Sequence, residues 1–179
     1  MRQFPLTSFF ALAYAWTWTC WWSVLALPAS TERLQTLGQF GPFVAALIVT
    51  CATGGRTALS EFLASLVRWR VHPVWYGISL VLLPASMLTA IVLYASFHGT
   101  VSMLRFQGTL ATLPAHFIYT LLLCGPLGEE PGWRGFALAR LQATFSPVGA
   151  SLVLGLLGAG WHLPASWIVE PRDAHSRCS

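Results

Sequence analysis

This chain of 179 residues is 55% hydrophobic and 9% charged, where an ordinary soluble domain carries roughly 25% charged residues. So few charges cannot clothe a globule in water, and the composition reads as a polytopic membrane protein. The net charge of +4 comes from ten arginines and no lysine. They are scattered singly, so they read as topology signals, and nucleic acid is excluded as a partner.

The hydropathy pattern predicts an all-α transmembrane bundle of about five spans with additional amphipathic helices. Residues 4–27 form an uncharged apolar run, too long for the hydrophobic core of a cleaved leader at about 7–15 residues. Its Trp16, Trp18, Trp21 and Trp22 crowd the far end, where amphipathic rings favour the membrane interface. Residues 29–37 read as a short polar loop and residues 38–53 as a second span, ended by Gly54-Gly55-Arg56. In residues 58–71, apolar side chains recur at helical spacing, which predicts an amphipathic interfacial helix. Residues 73–97 give a third span with Pro84 as a kink, and a loop around Arg105 follows.

Residues 113–128 form the fourth predicted span, residues 134–143 an amphipathic helix, and residues 147–168 the fifth span. Residues 1–168 thus make one membrane-embedded domain, and residues 169–179 a polar, disordered tail. Placing the N-terminus in the cytoplasm of a bacterial plasma membrane puts Arg2, Arg56, Arg68, Arg70, Arg134 and Arg140 inside. Only Arg33 and Arg105 then lie outside before the tail. That is the positive-inside bias. The four cysteines are dispersed without a Cys-x-x-Cys pair and read as small hydrophobes.

The chemistry concentrates at Gly128-Glu129-Glu130-Pro131-Gly132-Trp133-Arg134. Two of only six acidic residues stand side by side here, at the end of an apolar run where a carboxylate costs about 2.5–3.5 kcal/mol. Pro131 suits the first turn of a new helix, which would set both carboxylates at a helix N-terminus. Arg134 lies four residues beyond Glu130 and can pair with it on one face, leaving Glu129 as a base. The simpler reading is that the pair only anchors a helix. His162, within Gly158-Ala159-Gly160-Trp161-His162-Leu163-Pro164, can hold a water against Glu129, as a carboxylate base needs for attack on a peptide bond. The flanking glycines would permit close helix packing.

Zinc held by Glu129 and His162 is the competing arrangement, although a catalytic zinc normally takes three protein ligands and His-Glu-x-x-His is absent. A transporter is a further reading, because buried Glu, Arg and His also mark translocation paths.

Glu129-Glu130-x-x-x-Arg134 and the later Gly155–Pro164 stretch centred on His162 resemble the two leading motifs of a known family. It is the CAAX prenyl protease and bacteriocin-processing family of intramembrane glutamic endopeptidases. The likeness covers roughly residues 38–168, with Gly158 standing where the family often has Phe. It implies an intramembrane endopeptidase acting on peptide or membrane-protein substrates among membrane lipid. Glu129 would be the general base, Glu130 and Arg134 its supporting pair, and His162 a second water-holding group. The family was long described as metalloproteases, so zinc is the cofactor at issue. Of its later motif, a histidine followed four residues on by Asn or Asp, there is no counterpart, since His175 is followed at that spacing by Ser179, and that role is not carried over. The tail resembles a truncated end, so the alternative function is an inactive homologue serving as a membrane scaffold or immunity protein.

Overall fold

A computed structural model describes residues 5–98, 110–123 and 125–167. The described residues are predominantly helical and contain no strand, an all-α fold. In order, the helices are α1 (Pro5–Ala26), α2 (Thr31–Gln39), α3 (Gly41–Leu66), α4 (Pro73–His98), α5 (Leu113–Leu123) and α6 (Pro126–Glu130). A π-helical segment (Pro131–Leu138), α7 (Ala139–Leu141) and α8 (Pro147–Trp161) follow. Three helical stretches, Gly41–Leu66, Pro73–Phe97 and Pro147–Trp167, are long and apolar enough to cross a membrane. The chain is an integral membrane protein.

The other two expected spans differ from these three. α1 is a 22-residue helix whose Trp and Tyr content lowers its apolar character. α5 has 11 residues, and a new helix begins after Gly125. The loop around Arg105 and the polar tail lie outside the described residues, as do Cys124 and Cys178. Cys20 and Cys51 are free thiols.

The contacts divide the chain into two compact units, Met1–Leu66 with Ala115–Ser179, and Val67–Pro114. In the second unit, α4 runs through Pro84 as one helix, and its apolar side chains are exposed almost throughout. A helix apolar on every side suits lipid, because its backbone hydrogen bonds are all satisfied internally.

The first unit holds the core. α1 buries Phe9, Ala13, Thr17, Trp21 and Val24, spaced four, four, four and three residues apart, which is one face of a helix. α3 meets that face with Gly41, Pro42, Ala45, Ala46, Val49 and Thr50. Small residues let helix backbones approach closely where lipid gives no hydrophobic drive to associate. A Cβ on Gly41 would stand 2.9 Å from the Ala13 carbonyl oxygen. Phe136 and Trp133 close the core around Phe9, with ring centroids 4.9 and 5.6 Å from it.

Residues 31–39 form a helix rather than a loop, and tertiary contacts explain it. The last carbonyls of a helix lack intrahelical partners. Here the Trp16 and Trp21 indoles and the Thr17 hydroxyl of α1 donate to the carbonyls of Leu37, Gln35 and Gly38, at 2.8, 3.1 and 2.6 Å. The predicted break at Gly54-Gly55 is a kink inside α3, where Gly55 takes φ +65°. The expected amphipathic helix is the part of α3 beyond it and ends at Leu66, with Phe62 buried.

α8 starts at Pro147, and the Ser146 hydroxyl accepts the Gly149 N–H at 3.2 Å. Ser146→Ala removes that cap and is expected to cost about 1 kcal/mol, read as a lower unfolding midpoint in detergent. An unchanged midpoint would show that the cap contributes nothing.

Candidate active site

The acidic stretch folds differently from the sequence expectation. Pro126, not Pro131, opens the helix, and Gly125 precedes it with φ +116°, a backbone conformation L side chains rarely adopt. Glu129 therefore lies in the first turn, its N–H donating to the Gly125 carbonyl at 2.8 Å. Glu130 is one residue further in. Pro131 cannot donate to the preceding turn, and from it the helix widens into the π segment. Such segments in α-helices are frequent at functional sites.

What holds this helix in place is a pair of glycines on its far side. A Cβ on Gly128 would stand 2.8 Å from the Gln39 carbonyl oxygen. One on Gly132 would overlap the Pro42 carbonyl. Gly128-x-x-x-Gly132 is thus a small-residue stripe that lays the site helix on residues 39–42. Of the two glycines expected to pack closely, Gly160 does, since a Cβ there would stand 3.1 Å from the Tyr14 hydroxyl. Gly158, like Gly155, would meet nothing within 4 Å, and both border an open cavity.

That cavity, about 270 Å³, is lined by Glu129, Glu130, Trp133, Arg134 and His162, among others. All four residues singled out from the sequence face one space. Glu130 is ion-paired with Arg134 across one turn, as the spacing requires. His162 brings Nε2 to 3.8 Å from Glu129 Oε2. That is too long for a hydrogen bond and is a gap that one water can bridge. The Glu129 side chain is 19% exposed and that of His162 55%, so the histidine meets the open side. Glu129 lies outside the three membrane-spanning stretches, and its desolvation pushes the carboxyl above the usual range.

The histidine is oriented by aromatic rings. Trp161 meets it edge-on with centroids 4.6 Å apart, and Trp21 lies near parallel to it at 6.1 Å. The Trp18 indole donates to the Trp161 carbonyl at 3.1 Å, and the Tyr14 hydroxyl donates to that of Leu157. Of the tryptophans expected at the membrane interface, Trp16 and Trp22 are exposed, whereas Trp21 is buried in the core. The apolar run hid this role because periodicity gives a helix face without its partner.

A zinc site does not fit the described residues. Among them no three His, Cys, Asp or Glu side chains converge to hold a metal. Glu129 and His162 supply two donors, and Glu130 is engaged by Arg134.

Residues 111–171, which carry this cavity's helices, match the model of the "Type II CAAX prenyl endopeptidase Rce1-like" family. The chain is also 28% identical over 138 residues to CAAX prenyl protease 2 of Methanococcus maripaludis. That match covers 73% of this chain and 49% of the relative. Both findings support the resemblance to the CAAX prenyl protease and bacteriocin-processing family. The chain spans about half the length of the curated relative it matches. No solved structure matches it. The family match includes both Glu129 and His162, whereas the small-residue seat on residues 39–42 lies upstream of it.

Proposed function

We propose that this chain is an intramembrane endopeptidase in which Glu129 is the general base and His162 the second group on the attacking water. The observation that carries the reading is the 3.8 Å gap between Glu129 Oε2 and His162 Nε2 at the edge of a cavity. A water that bridges the two groups from the cavity side gives its proton to the carboxylate while its oxygen adds to the peptide carbonyl carbon. The proton then passes to the leaving nitrogen as the C–N bond breaks. The ion pair with Arg134 offsets the charge of Glu130, so that it does not compete with Glu129 for a proton. The resemblance of the two motifs to the family's leading ones, and the name of the relative, support peptide hydrolysis over transport.

The test is cleavage of a fluorogenic membrane-anchored peptide by the purified full chain in detergent. His162→Ala is expected to lower kcat about 100-fold, within the span typical of a lost acid–base group. Equal turnover in wild type and variant would overturn the assignment of His162. A wild type that binds peptide without cleaving it would favour the scaffold function instead.

The elevated Glu129 pKa sets the direction of the pH profile. The base is the ionised carboxylate, so activity rises with pH through the folded-state pKa. Its acid limb is expected above the range of a free glutamate. His162→Gln, with residual activity, should keep that limb. Losing it would assign the limb to the histidine.

A further inference from the structure

A second cleft of about 220 Å³, also bordered by His162, is lined by Trp21, Gln35, Gln39 and Ala165 as well. Gln39 Oε1 is buried and has no hydrogen-bond partner among the described residues. An unpartnered buried carbonyl destabilises the fold unless something else meets it. The orphan also lies toward Glu129. A Cβ placed on Gly125 would stand 2.8 Å from Glu129 Oε1 and 3.9 Å from Gln39 Oε1. Oε2 of Glu129 is the oxygen at 3.8 Å from His162, while its Oε1 and Gln39 Oε1 both lie around one point beside Gly125.

Gln39 is held in this place by the fold. The end of α2 is pinned by the donors of Trp16, Thr17 and Trp21. The backbone of Gln39 is itself the surface on which Gly128 rests. Gln39 belongs to neither of the two motifs that carry the family resemblance.

We propose that Gln39 is a positioning residue for the Glu129–His162 pair. Its buried side-chain carbonyl receives a hydrogen bond from the water held at that pair, and so fixes the direction of the water's lone pair. A water that donates to Glu129 and to Gln39 Oε1 keeps its oxygen free toward the substrate, while His162 limits its movement on the open side. The proposal rests on the glutamate-base reading above.

Gln39→Met and Gln39→Leu keep the volume and remove the acceptor. With the fluorogenic peptide, each is expected to lower kcat at least ten-fold with KM unchanged. The melting temperature in detergent is expected to hold or rise, because an unsatisfied buried polar group is gone. A residue with a merely structural role would give the opposite pattern, a lower melting temperature with unchanged kcat in the molecules that stay folded. Unchanged kcat in both variants, with Glu129→Gln inactive, would overturn the role of Gln39 and leave the glutamate base standing. A wild type without peptidase activity, or a Glu129→Gln variant as active as wild type, would overturn the glutamate base and Gln39 with it.

Discussion

Glu129→Gln is expected to abolish peptide cleavage, lowering kcat by about 100-fold or more, while leaving the melting temperature in detergent within a few degrees of wild type. The side chain keeps its length and loses only the ability to take a proton, which is the function asked of it. The stability expectation follows from the site's geometry. Among the described residues Glu129 makes no short ion pair, and its contact with the His162 imidazole is at 3.8 Å. The short pair in this stretch is Glu130 with Arg134. Glu130→Gln therefore serves as the control, with a smaller loss of activity because it affects the base only through local charge. Turnover within three-fold of wild type for Glu129→Gln would sink the mechanism. A collapse of stability would instead mean that the carboxylate is a packing element.

The second large effect is expected far from the chemistry, at Gly132→Ala. One methyl added there overlaps the Pro42 backbone carbonyl, which cannot rotate away as a side-chain tip can. Overpacking of this kind typically costs about 1–3 kcal/mol. The helix must lift off residues 39–42, and that moves Glu129 relative to His162. A shift near 1 Å in a reacting group can cost about 100-fold in rate, so both the unfolding midpoint and kcat should fall. Gly135→Ala is the matched control, because its Cβ would meet only side-chain atoms, of Phe62 and Leu66, at 3.4 Å. It should keep most of its activity. If Gly132→Ala behaves like Gly135→Ala, the close seat of the site helix is not what positions the carboxylate.

The two predictions address different links between sequence and function. Glu129, Glu130, Arg134 and His162 could be singled out from the sequence because charge is scarce here, and an ionisable group beside an apolar run carries a cost that sequence alone reveals. Their i,i+4 pairing was also legible, since helical spacing brings Glu130 and Arg134 together whether the turn is tight or slightly widened. The helix start was not. Both Pro126 and Pro131 suit a first helical position, and only the left-handed conformation at Gly125 decides between them.

The lipid-facing, all-helical character of this protein was determined by its sequence alone, through a composition with too few charges to cover a globule in water. So was the identity of the side chains able to do proton chemistry. The tertiary structure alone decided which glycines pack and which leave space. Gly132 lies against a backbone carbonyl, whereas Gly155 and Gly158 meet nothing and open the cavity. A glycine in sequence specifies only that no side chain is present, and what fills or shuns that space belongs to another helix. The same holds for residues 31–39, whose helix depends on donors from α1. It holds too for the approach of Glu129 and His162, 33 positions apart in the chain, since separation along a chain carries no information about distance once helices turn back and pack.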